Sequence, residues 1–176
     1  MIFQRWRARR ASKILIDGIR GEIVAAARRP FLYETLGAPD RLDGRFELLT
    51  LHAGLVLRRL MAIGGLGADM AQDLVNSVFI HFDDALREQA LSDIAVSRRL
   101  KTMREAFYGR NAAYKAALDR GSRAELAAAL ARNVYGSKDA PQALALAAYV
   151  LAADAKLNAT PLDLFATGRF RFPDGA

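Results

Sequence analysis

The sequence predicts an all-α fold, a single-domain bundle of about seven helices, on three observations. Apolar residues recur at helical spacing through every long segment, no run alternates apolar and polar residues over a useful strand length, and Gly, Pro or Ser marks each break between periodic runs. At 176 residues, 52% hydrophobic and 26% charged, the chain can bury one sizeable core. It contains no internal repeat.

Lys13 to Ala27 reads as the first helix, on Ile14, Leu15, Ile19, Ile23, Val24 and Ala27. Gly18 and Gly21 each weaken it by ~1 kcal/mol relative to Ala, and Pro30 stops it. Pro30 to Gly37 is a short helix with Pro at its start and Gly at its end. Asp43 is the expected N-cap of the next, Gly44 to Ile63, which ends at Gly64-Gly65. Its apolar arc covers more than half the circumference, so it is expected to pack on several sides. His52 and Arg59 lie inside that arc, and a buried Arg59 needs a carbonyl or an acidic partner, which the following segment offers.

Ala68 to Gln89 is a helix with Leu74, Val75, Val78, Phe79, Phe82 and Leu86 inward, Asp69, Asp73 and Asp84 outward, and Asp83 at the boundary. The stretch Ser92 to Leu118 follows. Ser122 and Glu125 form a capping box for Arg123 to Asn133, with Leu126, Leu130 and Val134 inward. Pro141 opens a helix to about Asp154, with Leu144, Ala147, Ala148 and Leu151 as its seam. Leu162 to Ala166 is a final turn, and Phe170, Arg171 and Phe172 are extended. The expected organisation is a basic N-terminal segment (1–12), a helical domain (13–168) and a C-terminal tail (169–176).

The net charge is +7 and unevenly spread. Arg5, Arg7, Arg9, Arg10, Lys13, Arg20, Arg28 and Arg29 face only Asp17 and Glu22 in residues 1–30, whereas Asp69, Asp73, Asp83, Asp84, Glu88 and Asp93 face only Arg87 in residues 68–95. The basic excess suits a membrane surface, RNA or an acidic protein. It also fits a composition in which Arg is the surface residue of choice. No segment reaches the ~18 consecutive apolar residues of a membrane span. MIFQRWRARRASKILI lacks an apolar stretch with a small-residue cleavage site, so secretion is not expected. It reads as the start of the first helix or as a basic amphipathic segment on a membrane.

Cysteine is absent, which removes disulfides, thiolate metal sites and cysteine nucleophiles. A metal-dependent enzyme would have to rest on His52, His81, Asp83 and Asp84, a thin set beside the three or four ligands of a zinc site. Satisfied polar groups between helices are the better expectation, with no metal and no cofactor. No nucleotide-binding or nucleophile-elbow motif is present, and Gly64-Gly65-Leu66-Gly67 is a loop between helices.

Ser92–Leu118 carries the binding chemistry. Leu100, Met103, Phe107, Tyr114 and Leu118 fall on one helical stripe, and Lys101, Arg104, Tyr108 and Lys115 fall together beside it. Lys101, Arg104, Tyr108, Arg110 and Lys115 are the candidate partner-binding residues. Part of this charge is expected to pair inside the fold, with Asp73, Asp83, Asp84 or Asp93. Gly109 in mid-helix marks either close approach of another backbone or a packing position.

Three stretches together resemble the ubiquinol–cytochrome c chaperone family: Phe31–Leu36 followed by LDGRFELLTLHAGLVLRRL (42–60), LVNSVFIHFDDALRE (74–88), and LSDIAVSRRLKTMREAFYGRNAAYKAAL (91–118). The resemblance implies a bacterial, non-enzymatic assembly factor of ubiquinol–cytochrome c reductase, the respiratory complex III, that binds newly made cytochrome b or another subunit. It implies a cytoplasmic protein, peripheral at the inner face of the membrane, with contacts to the membrane surface and to the ribosome and without a small-molecule substrate; the small partner protein belongs to the family's mitochondrial members. The alternative reading of the residues is an RNA- or ribosome-surface module that uses the basic stripe of helix 98–118.

Overall fold

The computed structural model describes the backbone of residues 2–89 and 92–174 and the side chains of residues 12–89 and 92–174. These residues form eight helices and no strand: α1 (Ile2–Ala27), α2 (Pro30–Glu34), α3 (Leu42–Ile63), α4 (Leu66–Arg87), α5 (Asp93–Asp119), α6 (Arg123–Val134), α7 (Gln142–Asn158) and α8 (Leu162–Ala166). Six are long, and α2 and α8 are five residues each. The all-α bundle is therefore as expected.

α3 is the central post, packing against α1, α4, α5, α6 and α7. Its wide apolar arc explains this, since Leu48, Ala53, Val56 and Leu60 are all fully buried and cannot share one neighbour. α6 and α7 pack on each other and close the far side. Ser92 and Ser122 cap α5 and α6 by accepting from the amides of Ala95 and Glu125. Gly64 (φ 72°) and Gly65 (φ 49°) make the left-handed turn between α3 and α4 that a residue with a Cβ would adopt at a cost.

Several elements depart from expectation. α1 begins at Ile2 and not at Lys13, so residues 2–12 are the start of the first helix, one of the two readings of that segment, and nothing before Gly18 disfavours helix. α3 starts at Leu42 after an extended Arg41, so Asp43 is not the cap; it sits in the first turn, where its charge complements the helix N-terminus. In α7 the buried seam is Ala143, Leu146, Ala147, Val150, Ala153 and Leu157, while Leu144 and Ala148 are exposed. A helix apolar nearly all round carries no readable phase.

The 169–176 tail is not a loose appendage over its described part. Phe170 and Phe172 are each 1% exposed, with Arg171 pointing out between them, the alternation of an extended strap. Phe170 stacks on Phe165 at 4.7 Å, Phe172 meets His52 edge-on at 4.9 Å, and the carbonyls of Phe172 and Pro173 accept from Lys156 and Arg29. Arg59 is held by the Thr160 carbonyl at 2.9 and 3.2 Å, not by the acidic segment of α4.

Candidate partner-binding surface on helix α5

α5 is anchored by Val96, Phe107, Tyr114 and Ala117, with Leu100, Met103 and Leu118 partly buried against the core. At 100° per residue this leaves the arc through Lys101, Arg104 and Tyr108 in solvent. The Arg104 guanidinium lies over the Phe79 ring of α4 at 4.0 Å. Phe107 meets Phe79 edge-on at 5.3 Å, and Tyr108 stands 6.3 Å from the same ring and is half exposed. The aromatic base holds the arginine, which stays exposed and has no hydrogen-bond or ion-pair partner among the described residues, an arrangement suited to acidic groups on a partner. Among the described residues, none of Arg98, Arg99, Lys101 or Arg104 forms an ion pair.

The five candidate residues are not one surface. Lys115 is exposed but paired with Asp119 one turn on. Arg110 lies a third of a turn away from Arg104 and bonds Glu47 of α3 through Nε at 2.5 Å. Glu47 is only 5% exposed. Burial raises its carboxyl above the usual value, with Arg110 and its hydrogen bond opposing. Arg110 therefore clamps α5 to α3. Of the acids expected to neutralise α5, Asp83 and Asp93 take Arg87 at 2.7 Å each and Asp73 accepts from Ser12, while Asp84 forms no ion pair among the described residues. A second clamp, absent from the sequence reading, is Arg58, which bridges Asp119 of α5 and Asp154 of α7.

Residues that sequence reasoning missed surround this row. Phe79 is the base under Arg104; its place on the α4 core face was legible, its partner was not. Glu47 winds outside the apolar arc that holds His52, between Gly54 and Leu51, so no such signal singled it out. Beside α5, Leu42, Phe46, Leu49, Phe82, Leu86 and Met103 line a cleft of about 370 Å³, with Arg28, Arg45 and His81 also on its wall. Gly109 faces open space, so the close approach it suggested lies instead at Gly54, against Asn111.

No His and Asp set gathers for chemistry. His52 is fully buried; its Nδ1–H donates to the Leu48 carbonyl at 2.7 Å, and its Nε2 accepts from the Tyr149 hydroxyl at 2.8 Å. Both nitrogens are thus taken by the protein, and burial drops the imidazole pKa to about 4. Among the described residues, no three His, Asp or Glu side chains are placed to hold a metal ion, and no helix is long and apolar enough to cross a membrane.

A family profile, described as Ubiquinol-cytochrome C chaperone, matches residues 34–172. The crystal structure of the Cbp3 homolog from Brucella abortus is similar over 99% of this chain and 97% of that one, with 35% identity and a TM-score of 0.87. No curated protein matches the sequence. The profile spans α3 to α8, hence the central post, the α5 row and the Phe170–Phe172 strap together, and on that extent the chain belongs to the ubiquinol–cytochrome c chaperone family.

Proposed function

We propose that this chain is a non-enzymatic assembly chaperone for ubiquinol–cytochrome c reductase that holds newly made cytochrome b at the inner face of the membrane. Family membership supports the assembly role. The observation that carries the binding site is the exposed row Lys101, Arg104 and Tyr108, with its guanidinium seated on Phe79 and an apolar cleft lined by Phe46, Phe82 and Met103 nearby. Cations, a half-exposed tyrosine and an apolar cleft together suit a membrane-protein segment that offers loops and apolar side chains at once. A photo-reactive residue at Tyr108 should crosslink to cytochrome b in membranes, and deletion of the gene should lower assembled reductase. Normal reductase in the deletion strain would sink this reading.

A second reading has its own observation. Four cations on one helix, Arg98, Arg99, Lys101 and Arg104, lack ion pairs among the described residues, which suits phosphate neutralisation on RNA or a ribosome surface. A salt titration of RNA binding decides it: absence of affinity at low salt removes the idea.

A further inference from the structure

The cleft beside α5 carries a cationic rim that an apolar client segment does not use. Its base is apolar: Leu49, Phe82 and Leu86 are buried, Phe46 and Met103 are half-buried, and Leu42 is 41% exposed at its edge. A volume of about 370 Å³ falls within the range of small-ligand sites, about 300–1,000 Å³. Against this base stand Arg28, just beyond α1, Arg45 of α3 and His81 of α4. Arg28 is exposed and forms no ion pair among the described residues. Arg45 is held by Asp40 at 2.7 Å. Burial, with Arg20 and Arg28 adding to it, lowers the pKa of His81, so near pH 7 this half-buried ring is neutral and has one N–H to donate. Arg28 and Arg45 also border a neighbouring cleft of about 630 Å³ beside Tyr33, which leaves both guanidinium groups at the junction of two open spaces. One exposed carboxylate, Glu88, shares the wall.

We propose that this cleft holds one free fatty acid of medium length, with its alkyl chain over Leu49, Phe82 and Leu86 and its carboxylate at Arg28 and His81. An alkyl chain gains by leaving water for the apolar base, and guanidinium and imidazole N–H groups give a carboxylate charge-assisted bonds. Glu88 repels a second negative charge, so a carboxylate suits the rim better than a phosphate monoester does. A cationic amphiphile would set its head against the unpaired Arg28. The inference goes beyond the client reading, which uses only the apolar walls of the cleft. A bound fatty acid and a client side chain then exclude one another.

Calorimetry of the full chain with sodium decanoate, kept below its micellar concentration, tests this. We expect saturable binding of decanoate, no measurable binding of acetate, and binding of decyltrimethylammonium weaker by roughly tenfold or more. Arg28→Gln with His81→Gln should weaken decanoate roughly tenfold and leave the binding of decanol unchanged. Leu42→Asp sets a carboxylate at the edge of the cleft, in an exposed position at the start of α3, and should weaken decanoate as well. Lys138→Gln removes the same charge from the loop between α6 and α7 and should bind as the parent does. Equal binding of decanoate and decyltrimethylammonium would overturn the proposal, as would unchanged decanoate affinity in both altered clefts. So would binding of anionic vesicles without binding of monomeric decanoate, or a dimer that buries the cleft in place of decanoate. Crosslinking to cytochrome b is read separately, so failure of the client reading leaves the decanoate result standing, and the reverse.

Discussion

Asn111 Oδ1 occupies the space that a Cβ at Gly54 would fill, so α3 and α5 meet there with no side chain of residue 54 between them. Gly54→Ala should gain up to ~1 kcal/mol of helix propensity and lose about 1–3 kcal/mol to overpacking, a net destabilisation in urea unfolding. Asn111 Nδ2 is buried without a partner, so Asn111→Ala alone should be mild. In the Asn111→Ala background the Gly54→Ala penalty should shrink or reverse. An unchanged penalty there would show that the contact is not its cause.

Arg110 and Glu47 form the second tie between the same two helices. Arg110→Ala strands a carboxylate that is 5% exposed, and the loss should be about 3–5 kcal/mol near neutral pH. Glu47→Gln, which leaves a neutral acceptor for Arg110, should cost less. The folded pKa of Glu47 is already raised, and removing Arg110 raises it further. The folded state then binds the proton more readily, so the stability of Arg110→Ala should fall as pH rises through Glu47's titration, and the deficit should narrow on acidification. Parallel melts at acidic and neutral pH test this.

These two ties show where sequence reading ends. The stripe Leu100–Leu118 was legible because α5 has a clear polar face, and winding the helix placed Lys101, Arg104 and Tyr108 together. The same winding sets Arg110 apart from them; what it could not supply was Glu47, 63 residues away in the chain. A glycine in a helix signals close approach somewhere, but only the facing helix decides between Gly54 and Gly109. α7 was legible as a helix and illegible in phase, since Leu144 and Leu146 look alike until α6 packs on one of them. The strap was hidden for another reason. Phe170-Arg171-Phe172 is too short for period-two alternation to stand out, and its burial depends on α3 and α7 already being in place.

His52 makes the fold sensitive to acid. Its folded pKa of about 4 lies below the usual 6.5, so between those values the unfolded chain binds the proton first and stability is lost as pH falls. The full effect is roughly 3 kcal/mol. His81 is lowered as well and adds the same sign. Glu47, raised, opposes them at the acidic end. His52→Gln should flatten the slope of melting temperature against pH between about 4 and 6.5 and leave the smaller contribution of His81. Survival of the full slope in that variant would assign it to other groups.

The strap should behave as part of the core. Phe172→Ala removes a 1%-exposed ring that packs on His52, at an expected cost of about 3–5 kcal/mol. Truncation after Gly168 removes Phe170 as well, together with the carbonyls that bind Lys156 and Arg29, and should be worse. A truncated chain that melts like the parent would restore the tail to the status of an appendage.

The α5 row should separate binding from stability, which the Arg110 clamp cannot do. Lys101 and Arg104 are exposed and make no ion pair among the described residues, so Lys101→Ala should leave unfolding unchanged within ~0.5 kcal/mol. Arg104→Ala removes the guanidinium from Phe79 and should cost about 0.5–1 kcal/mol. If the row holds the client, the pair of changes with Tyr108→Ser should sharply reduce recovery of cytochrome b with the purified chain while the melt barely moves. Lys115→Ala, two turns beyond Tyr108 and paired with Asp119, is the control and should leave recovery near the parent level. Equal losses in the triple variant and in Lys115→Ala would point to a general charge effect of the basic helix, and full recovery in both would move the client site off α5.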